Sequence, residues 1–336
     1  MFPAKIDVVA ALHSRLPELE RERLAYLLTF RNGILTILAA IVGTAASLLT
    51  GMPEVVAVTG VVAAVAAIVM VVRMRRHYAA YREHFKQLIV RGAVRELVEL
   101  CRLPEETPAY RYTWTYHPDA RISDAHIDNC LLFNERIDEV SGEDLIQGRL
   151  GLTDFELSEL ELVRIEHSNR SKGPTSTRHV TVFEGVLFVA DFHKSFQGIT
   201  LLLANGWMGT SGFFNKLSNN LTNLFAKTKM VNIDLEHPEF NRHFDTNTSD
   251  EVEARYLLSP NFIERVLAFK SWHDEKVEFA FVGSRMYVAI STRASFFEPS
   301  VRRTTQQQLE QIYEELLFFF SLIEHFDLNT RIWSKS

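Results

Sequence analysis

Three small groups of residues have types and spacings that invite chemistry. Asp191, His193 and Ser195 alternate along one apparent strand and share a face, the residue types of a nucleophilic triad. Residues two apart on a strand are separated by roughly 6–7 Å, however, while a triad needs contacts of about 3 Å between groups from different elements. His237 and His243 bracket HPEFNRH with Glu239 between them, a metal-ligand composition. Their spacing fits no single helix or strand face, and Pro238 argues for a surface turn. Gly142-Glu143-Asp144 reads as a turn opening a strand, with a solvated acidic pair. Walker, GxGxxG, HExxH, GxSxG and kinase signatures are absent from the sequence. The residues therefore assign no catalytic, cofactor or metal role. A hydrolase built on scattered His and Asp residues is the weakest functional reading.

The elements that must position any site divide sharply by composition. The chain has 336 residues, 47% of them hydrophobic and 23% charged, with a formal net charge of −6. That balance gives no general attraction for nucleic acid. Cys101 and Cys130 stand without a CxxC or a His at ligand spacing, which fits a reducing compartment rather than a disulfide or zinc framework.

Residues 33–50 (GILTILAAIVGTAASLLT) and 55–72 (VVAVTGVVAAVAAIVMVV) carry no charge. Each is about 27 Å long as a helix, close to the hydrocarbon thickness of a bilayer. Only GMPE separates them, so they predict a transmembrane hairpin preceded by a cytoplasmic segment, 1–32. Lys5, Arg15, Arg21, Arg23 and Arg31 precede the hairpin, the turn has no basic residue, and Arg73, Arg75 and Arg76 follow. The positive-inside rule then puts both termini in the cytoplasm and Glu54 outside. Ala39, Gly43, Ser47, Gly60, Ala64 and Ala67 permit close helix packing, within the hairpin or between protomers of an oligomer. With no ionisable group in either span, the hairpin reads as an anchor and not an ion path.

Residues 73–103 predict an amphipathic juxtamembrane helix with Tyr78, Tyr81, Phe85, Leu88 and Ile89 on one stripe, either an interfacial belt or a packing face. Residues 104–330 predict a cytoplasmic α+β domain, with a possible subdomain division near 206–229. YRYTWTYH reads as a strand, and DLIQGRLGLTDFELSELELVRIEH as two strands around a Gly turn. VTVFEGVLFVADF and GITLLLAN read as an apolar strand pair, and one helix is expected near 120–133. TSDEVEARYLL predicts a helix with a Thr248/Glu251 capping box, and SPNFIERVLAFK a helix starting at Pro260. VEFAFVG and RMYVAIS predict a hairpin on Gly283-Ser284, and 303–325 a closing helix. Strands and helices alternate without βαβ regularity, hence α+β.

The strings GEDLIQGRLGLTDFELSEL, FEGVLFVADFHKSFQG and DEVEARYLLSPNFIERV resemble the bacterial membrane-protein family catalogued as domain of unknown function thirty-one thirty-seven. The resemblance spans roughly 75–330 and implies a cytoplasmic α+β domain on an inner-membrane hairpin. It brings no activity or catalytic residues. It also implies, weakly, partnership with a LemA-type membrane protein.

Two apolar features are candidate contact surfaces. Phe183, Phe188, Phe192 and Phe196 are either core or an apolar groove for an acyl chain or peptide. Residues 206–229 contain no Asp or Glu but carry Trp207, Phe213, Phe214, Lys216, Leu217, Leu221, Phe225, Lys227 and Lys229. They read as an amphipathic helix covering the sheet, or as a contact with the anionic leaflet. The leading functional expectation is a membrane-anchored scaffold or adaptor that binds a protein partner or the membrane face. The alternative is a lipid-binding or lipid-handling protein. Replacing Phe213 and Phe214 with Ser should weaken liposome binding of the soluble domain while leaving its thermal unfolding unchanged. Unfolding would instead make the segment core.

Overall fold

A computed structural model describes residues 5–49, 51–100, 111–133, 135–168, 176–192, 196–205, 230–272, 275–293 and 295–326. The chain forms two compact units, one of residues 1–100 with 297–315, the other of residues 101–296 with 316–336.

The helical unit begins with α1 (Lys5–Leu12), a single 3-10 turn at His13–Arg15, and α2 (Leu16–Leu48). Pro17 sits in the first turn of α2, where its missing N–H costs nothing. Gly51, at φ +67°, makes the turn into α3 (Pro53–Phe85). That left-handed conformation is one a side chain would strain. The two long helices run antiparallel. Near the turn the Ser47 and Thr59 hydroxyls lie 2.9 Å apart. A Cβ on Gly33 would sit 2.8 Å from Met70 Cγ. The rings of Tyr26 and Tyr78 are 5.5 Å apart, and His84 Nδ1 meets Glu22 at 2.7 Å. Both helices are long and apolar enough to cross a membrane. Their apolar side chains stand in the open, as at Val42 (66%) and Ile68 (64%).

After Phe85 the helix passes through a π-helical turn, Lys86–Val90, into α4 (Arg91–Leu100). The turn swings Ile89 and Val90 inward beside Tyr81 and Phe85, so the aromatic stripe is a packing face here. Gly92 lets α4 approach α1, since a Cβ there would lie 3.0 Å from Leu12 Cδ2.

Two ion clusters bind residues 297–315 to these helices. Glu298 is gripped by Arg82 Nη2 at 2.7 Å and Lys86 Nζ at 2.8 Å, with Lys86 only 1% exposed. Glu20 Oε2 accepts from the Thr305 amide (3.0 Å) and hydroxyl (2.7 Å), capping α9 (Thr305–His325) from 285 residues away. Arg23 pairs with Glu20 at 2.5 Å and donates to the Val301 carbonyl at 2.8 Å.

The second unit is built on one nine-stranded, wholly antiparallel sheet in the order β1-β2-β3-β4-β9-β8-β5-β7-β6. The strands are β1 (Arg111–His117), β2 (Glu139–Gly151), β3 (Thr153–Ser168), β4 (Ser176–Asp191), β5 (Ile199–Ala204), β6 (Val231–Ile233), β7 (Phe244–Thr248), β8 (Lys276–Val282) and β9 (Arg285–Ser291). Between them lie α5 (Asp124–Asn129), α6 (Pro238–His243), α7 (Glu251–Leu257) and α8 (Pro260–Trp272). The α+β expectation holds.

Several sequence expectations need correction. β4 and β5 do not pair: the β8–β9 hairpin, turning on Gly283 at φ +63°, inserts between them. Two apolar runs adjacent in sequence each find a more extensive apolar neighbour. The expected helix over 120–133 shrinks to α5. α7 is capped by Asp250, whose carboxylate accepts from the Glu253 amide at 2.9 Å, and not by a Thr248 box. HPEFNRH is not a plain turn, because Pro238 opens α6 and His237 caps it.

Period-two alternation gives the sheet two buried faces. One carries Leu160, Leu162, Leu187, Val189, Tyr287 and Ala289, and is covered by Ile122, Ile127, Cys130 and Leu132 from the segment around α5. The other is aromatic. Phe155 and Trp114 meet Phe320 at 5.6 and 4.3 Å, and Phe279 meets Phe269 of α8 at 6.2 Å.

The Arg23 hydrogen bond, with the Thr305 donors, lowers the Glu20 pKa from 4.5 to about 2. A depressed carboxylate stabilises the fold above its unfolded pKa and loses that contribution as pH falls through the folded value. Thermal stability of the full chain in detergent should therefore fall between about pH 4.5 and pH 2, and Glu20→Gln should flatten that fall. An unchanged pH profile in the variant would show that Glu20 does not carry it.

Candidate functional site

Two polar constellations emerge in the sheet unit, neither visible as a motif in sequence. The first forms at one end of the α5-covered face. Glu156 on β3, Val189 on β4 and Tyr287 on β9 are cross-strand neighbours, with Arg285 two residues before Tyr287. α5 lowers His126 onto this row. Its Nε2 lies 3.6 Å from Glu156 Oε1, and its Nδ1 lies 3.3 Å from Arg285 Nη1. Because a guanidinium can only donate, Nδ1 accepts and the ring proton sits on Nε2, facing the carboxylate. The His126 interaction, followed by the Arg285 charge, holds the Glu156 carboxyl below its ordinary range against the opposing effect of burial. The Tyr287 hydroxyl is pushed up by burial.

A His–Glu pair flanked by Arg and Tyr has the groups for proton transfer, but the geometry binds them to one another. Both imidazole nitrogens are engaged and His126 is 8% exposed. The arrangement fastens α5 to the sheet. Beside it lies Cys130, fully buried, its thiol pushed up to about 12 by burial and therefore inert as a nucleophile.

The second constellation is a cleft of about 310 Å³ on the aromatic-side face, toward the opposite end of β2, β3 and β4. It is lined by Glu143, Glu159, Glu161 and Glu184, with Arg293 and the glycines Gly142 and Gly185. Glu143 stands directly across from Glu159, and Glu161 across from Glu184. Like charges in register are unfavourable in a sheet, so their joint presence lowers the local potential. Gly185 (φ +151°) is required for the close strand approach, since a Cβ would fall 2.0 Å from the Ile290 carbonyl oxygen. Carboxylate oxygens suit a hard cation or a basic side chain. Glu159, however, already accepts from the Phe296 amide, and the four are spread over three strands.

The residues singled out in the sequence are placed as follows. Asp191 ends β4 opposite Arg285, while His193 and Ser195 lie outside the described residues. His237 Nδ1 accepts from the Phe240 amide at 3.2 Å, and His243 is exposed at the far end of α6. The two do not converge. Glu143 and Asp144 do not open a strand: they form a bulge within β2, where Asp144 is fully buried at φ +60° and accepts from the Tyr116 hydroxyl. Phe183, Phe188, Phe192 and Phe196 are all buried. Phe183 packs on Phe133 at 4.7 Å beneath the α5 segment, whereas Phe188 lies on the opposite face 6.3 Å from Phe155. Phe192 and Phe196 meet Phe281 at 5.8 and 5.9 Å. The four do not share one surface. Trp207, Phe213, Phe214, Lys216, Leu217, Leu221, Phe225, Lys227 and Lys229 lie outside the described residues.

Residues 181–328 match the model of a family described as "Protein of unknown function (DUF3137)", bearing out the resemblance over a shorter stretch than 75–330. No curated protein matches the chain. Among solved structures it is similar to the crystal structure of the mycobacterial trehalose monomycolate transport factor A. The two share 8% identity over 65% of this chain and 89% of that one, with a TM-score of 0.30, too slight a likeness to carry an argument.

With Cys101 replaced by Ser, native protein should resist maleimide at Cys130 and react once unfolded in guanidinium. Losing the hydrogen bond to His126 should release α5 more often, so His126→Ala should speed labelling about tenfold. Labelling as fast as in the unfolded chain before any substitution would contradict the burial.

Proposed function

We propose that the chain is a membrane-anchored adaptor, held by the α2–α3 hairpin in the bacterial inner membrane with both termini in the cytoplasm. The carrying observation is the contrast along these helices. Over the uncharged spans their valines, leucines and isoleucines are open to the surroundings, while beyond the spans the same helices pack Tyr81, Phe85 and Arg23 against residues 297–315 and one another. Bare aliphatic surface of that length suits lipid, and water would disfavour it strongly. The anchored unit lacks ionisable groups within its spans, which supports anchoring over transport. The cleft of Glu143, Glu161 and Glu184 supports the partner half of the reading, because its carboxylates outnumber its one lining arginine, Arg293, and a net negative surface steers an oppositely charged segment.

The test uses the full-length protein in bacterial membranes. It should stay in the pellet after alkaline carbonate. A cysteine at position 54 (Glu54→Cys, native cysteines replaced) should react with an impermeant maleimide added outside. Release by carbonate, or protection of position 54 in intact cells, would overturn the anchor and its orientation. A partner-free preparation with specific turnover would overturn the adaptor role.

A further inference from the structure

The far ends of β3 and β4 form an arm whose two edges are treated differently. Beyond Gly185, the last residue of β4 in register with β9, the two strands continue together to Ser168 and Ser176. On the β3 side, the Asp138 amide donates to the Val163 carbonyl at 2.9 Å, and the Asp138 carboxylate accepts from the Ile165 amide at 2.8 Å. That edge is closed. The same contacts fix the phase of the arm. Val163 and Ile165 direct their backbone groups away from β4, so their register partners Thr181 and His179, with Thr177 beyond, direct theirs away from β3. Nothing among the described residues receives those groups, and Thr177, His179 and Thr181 are exposed. An edge left open in this way takes up an extended chain.

Charge narrows the choice of chain. Glu139 is in register with Val163, and its carboxylate lies 3.5 Å from His179 Nδ1, so Glu139, His179 and Thr181 share a face. Glu161 and Glu184, in register with each other and lining the cleft, lie on that face too. Both are exposed and neither makes an ion pair among the described residues. The Thr292 amide donates to the Glu184 carbonyl at 2.9 Å, which marks where an added strand must begin. Its residue opposite Thr181 then lies diagonal to Glu184, within reach of a long side chain. The reverse face of the edge offers the half-buried Val180 and Val182.

We infer that an extended segment of a partner protein, alternating lysine or arginine with β-branched residues, adds to the sheet along Thr177–Thr181 of β4. The inference rests on the adaptor reading and names the kind of segment recognised. Its basic side chains would relieve the like-charged register of Glu161 and Glu184. A second copy supplies no such cation. On the acidic face its edge presents Thr177, His179 and Thr181, while Arg178 falls on the reverse face. β1, at the margin of the sheet, exposes Thr113, Thr115 and His117 and no carboxylate, so charge selects β4. The sheet is antiparallel throughout, and an antiparallel addition turns the amides of the basic residues toward β4.

The experiment measures the fluorescence anisotropy of short labelled peptides added to full-length protein in phosphatidylcholine nanodiscs. A peptide alternating Lys with Val should bind about tenfold more tightly than one alternating Glu with Val. Methylating the backbone nitrogens of its lysines should abolish binding, while methylating those of its valines should leave it intact, because only the first set faces β4. Glu161→Gln with Glu184→Gln should weaken the Lys peptide about fivefold. Thr181→Pro removes an outward donor at an edge position that tolerates proline, and should weaken it too. The methylated peptides are read on the unaltered protein, so the test survives misfolding of a variant. Equal binding of the Lys and Glu peptides, or indifference to which nitrogens are methylated, overturns the inference while the anchor stands. Self-association that Thr181→Pro abolishes overturns it in favour of a second copy. Failure of the protein to enter nanodiscs would instead overturn the anchor, and the inference with it.

Discussion

A half-buried carboxylate, Glu298, gripped by Arg82 and the almost inaccessible Lys86, is the contact on which the helical unit depends. Taking a lysine out of water is costly unless a counter-charge meets it at close range, and removing one member of such a group costs about 3–5 kcal/mol. The π-helical turn at Lys86–Val90 is where that cost is met, because Lys86 opens the turn that also carries Ile89 and Val90 inward. A second carboxylate, Glu20, repeats the device by capping α9 and neutralising Arg23. Through these two acids, residues 297–315 become part of the same unit as the N-terminal hundred residues. Local propensity could not have joined them.

The sheet unit is governed by a different constraint. Nine antiparallel strands with both faces buried need two separate covers, and the chain divides its aliphatic and aromatic residues accordingly. Phe155, Phe188, Phe279 and Phe281 face one side, under rings from α8 and α9. Leucines and valines face the other, under the α5 segment. The abundance of phenylalanine that suggests a groove from composition is largely spent on ring-to-ring contacts in the core. What remains polar at the margins arises from pairing: His126 of α5 and Glu156 of β3 meet Arg285 from distant β9, while the glutamates of the cleft come into register across the consecutive strands β2, β3 and β4.

The sequence was informative where a signal is periodic and local. The uncharged spans, the alternation in β1, the Gly-turn between β2 and β3, the Gly283 hairpin and the closing helix all follow from spacing, because each satisfies its backbone within a few residues or in a tight turn. It misled where two local signals compete. Pro238 argues locally against a helix yet is the first residue of α6, and Thr248 has the type of a cap that Asp250 supplies two residues closer to the helix. Glu143 and Asp144 looked like a solvated turn because a β-bulge has no pattern of its own; only the buried Tyr116 hydroxyl explains an aspartate there.

What the sequence determined by itself is the pair of uncharged runs long enough to cross a bilayer and the α+β class: charge-free runs and period-two or period-3.6 patterns are properties of single elements and depend on no partner. Only the tertiary structure decided strand order, the placing of the β8–β9 hairpin between β4 and β5, and the convergence of His126, Glu156 and Arg285. Those rest on pairings between residues up to 159 positions apart, and a pairing over that distance leaves no mark on the spacing of either segment.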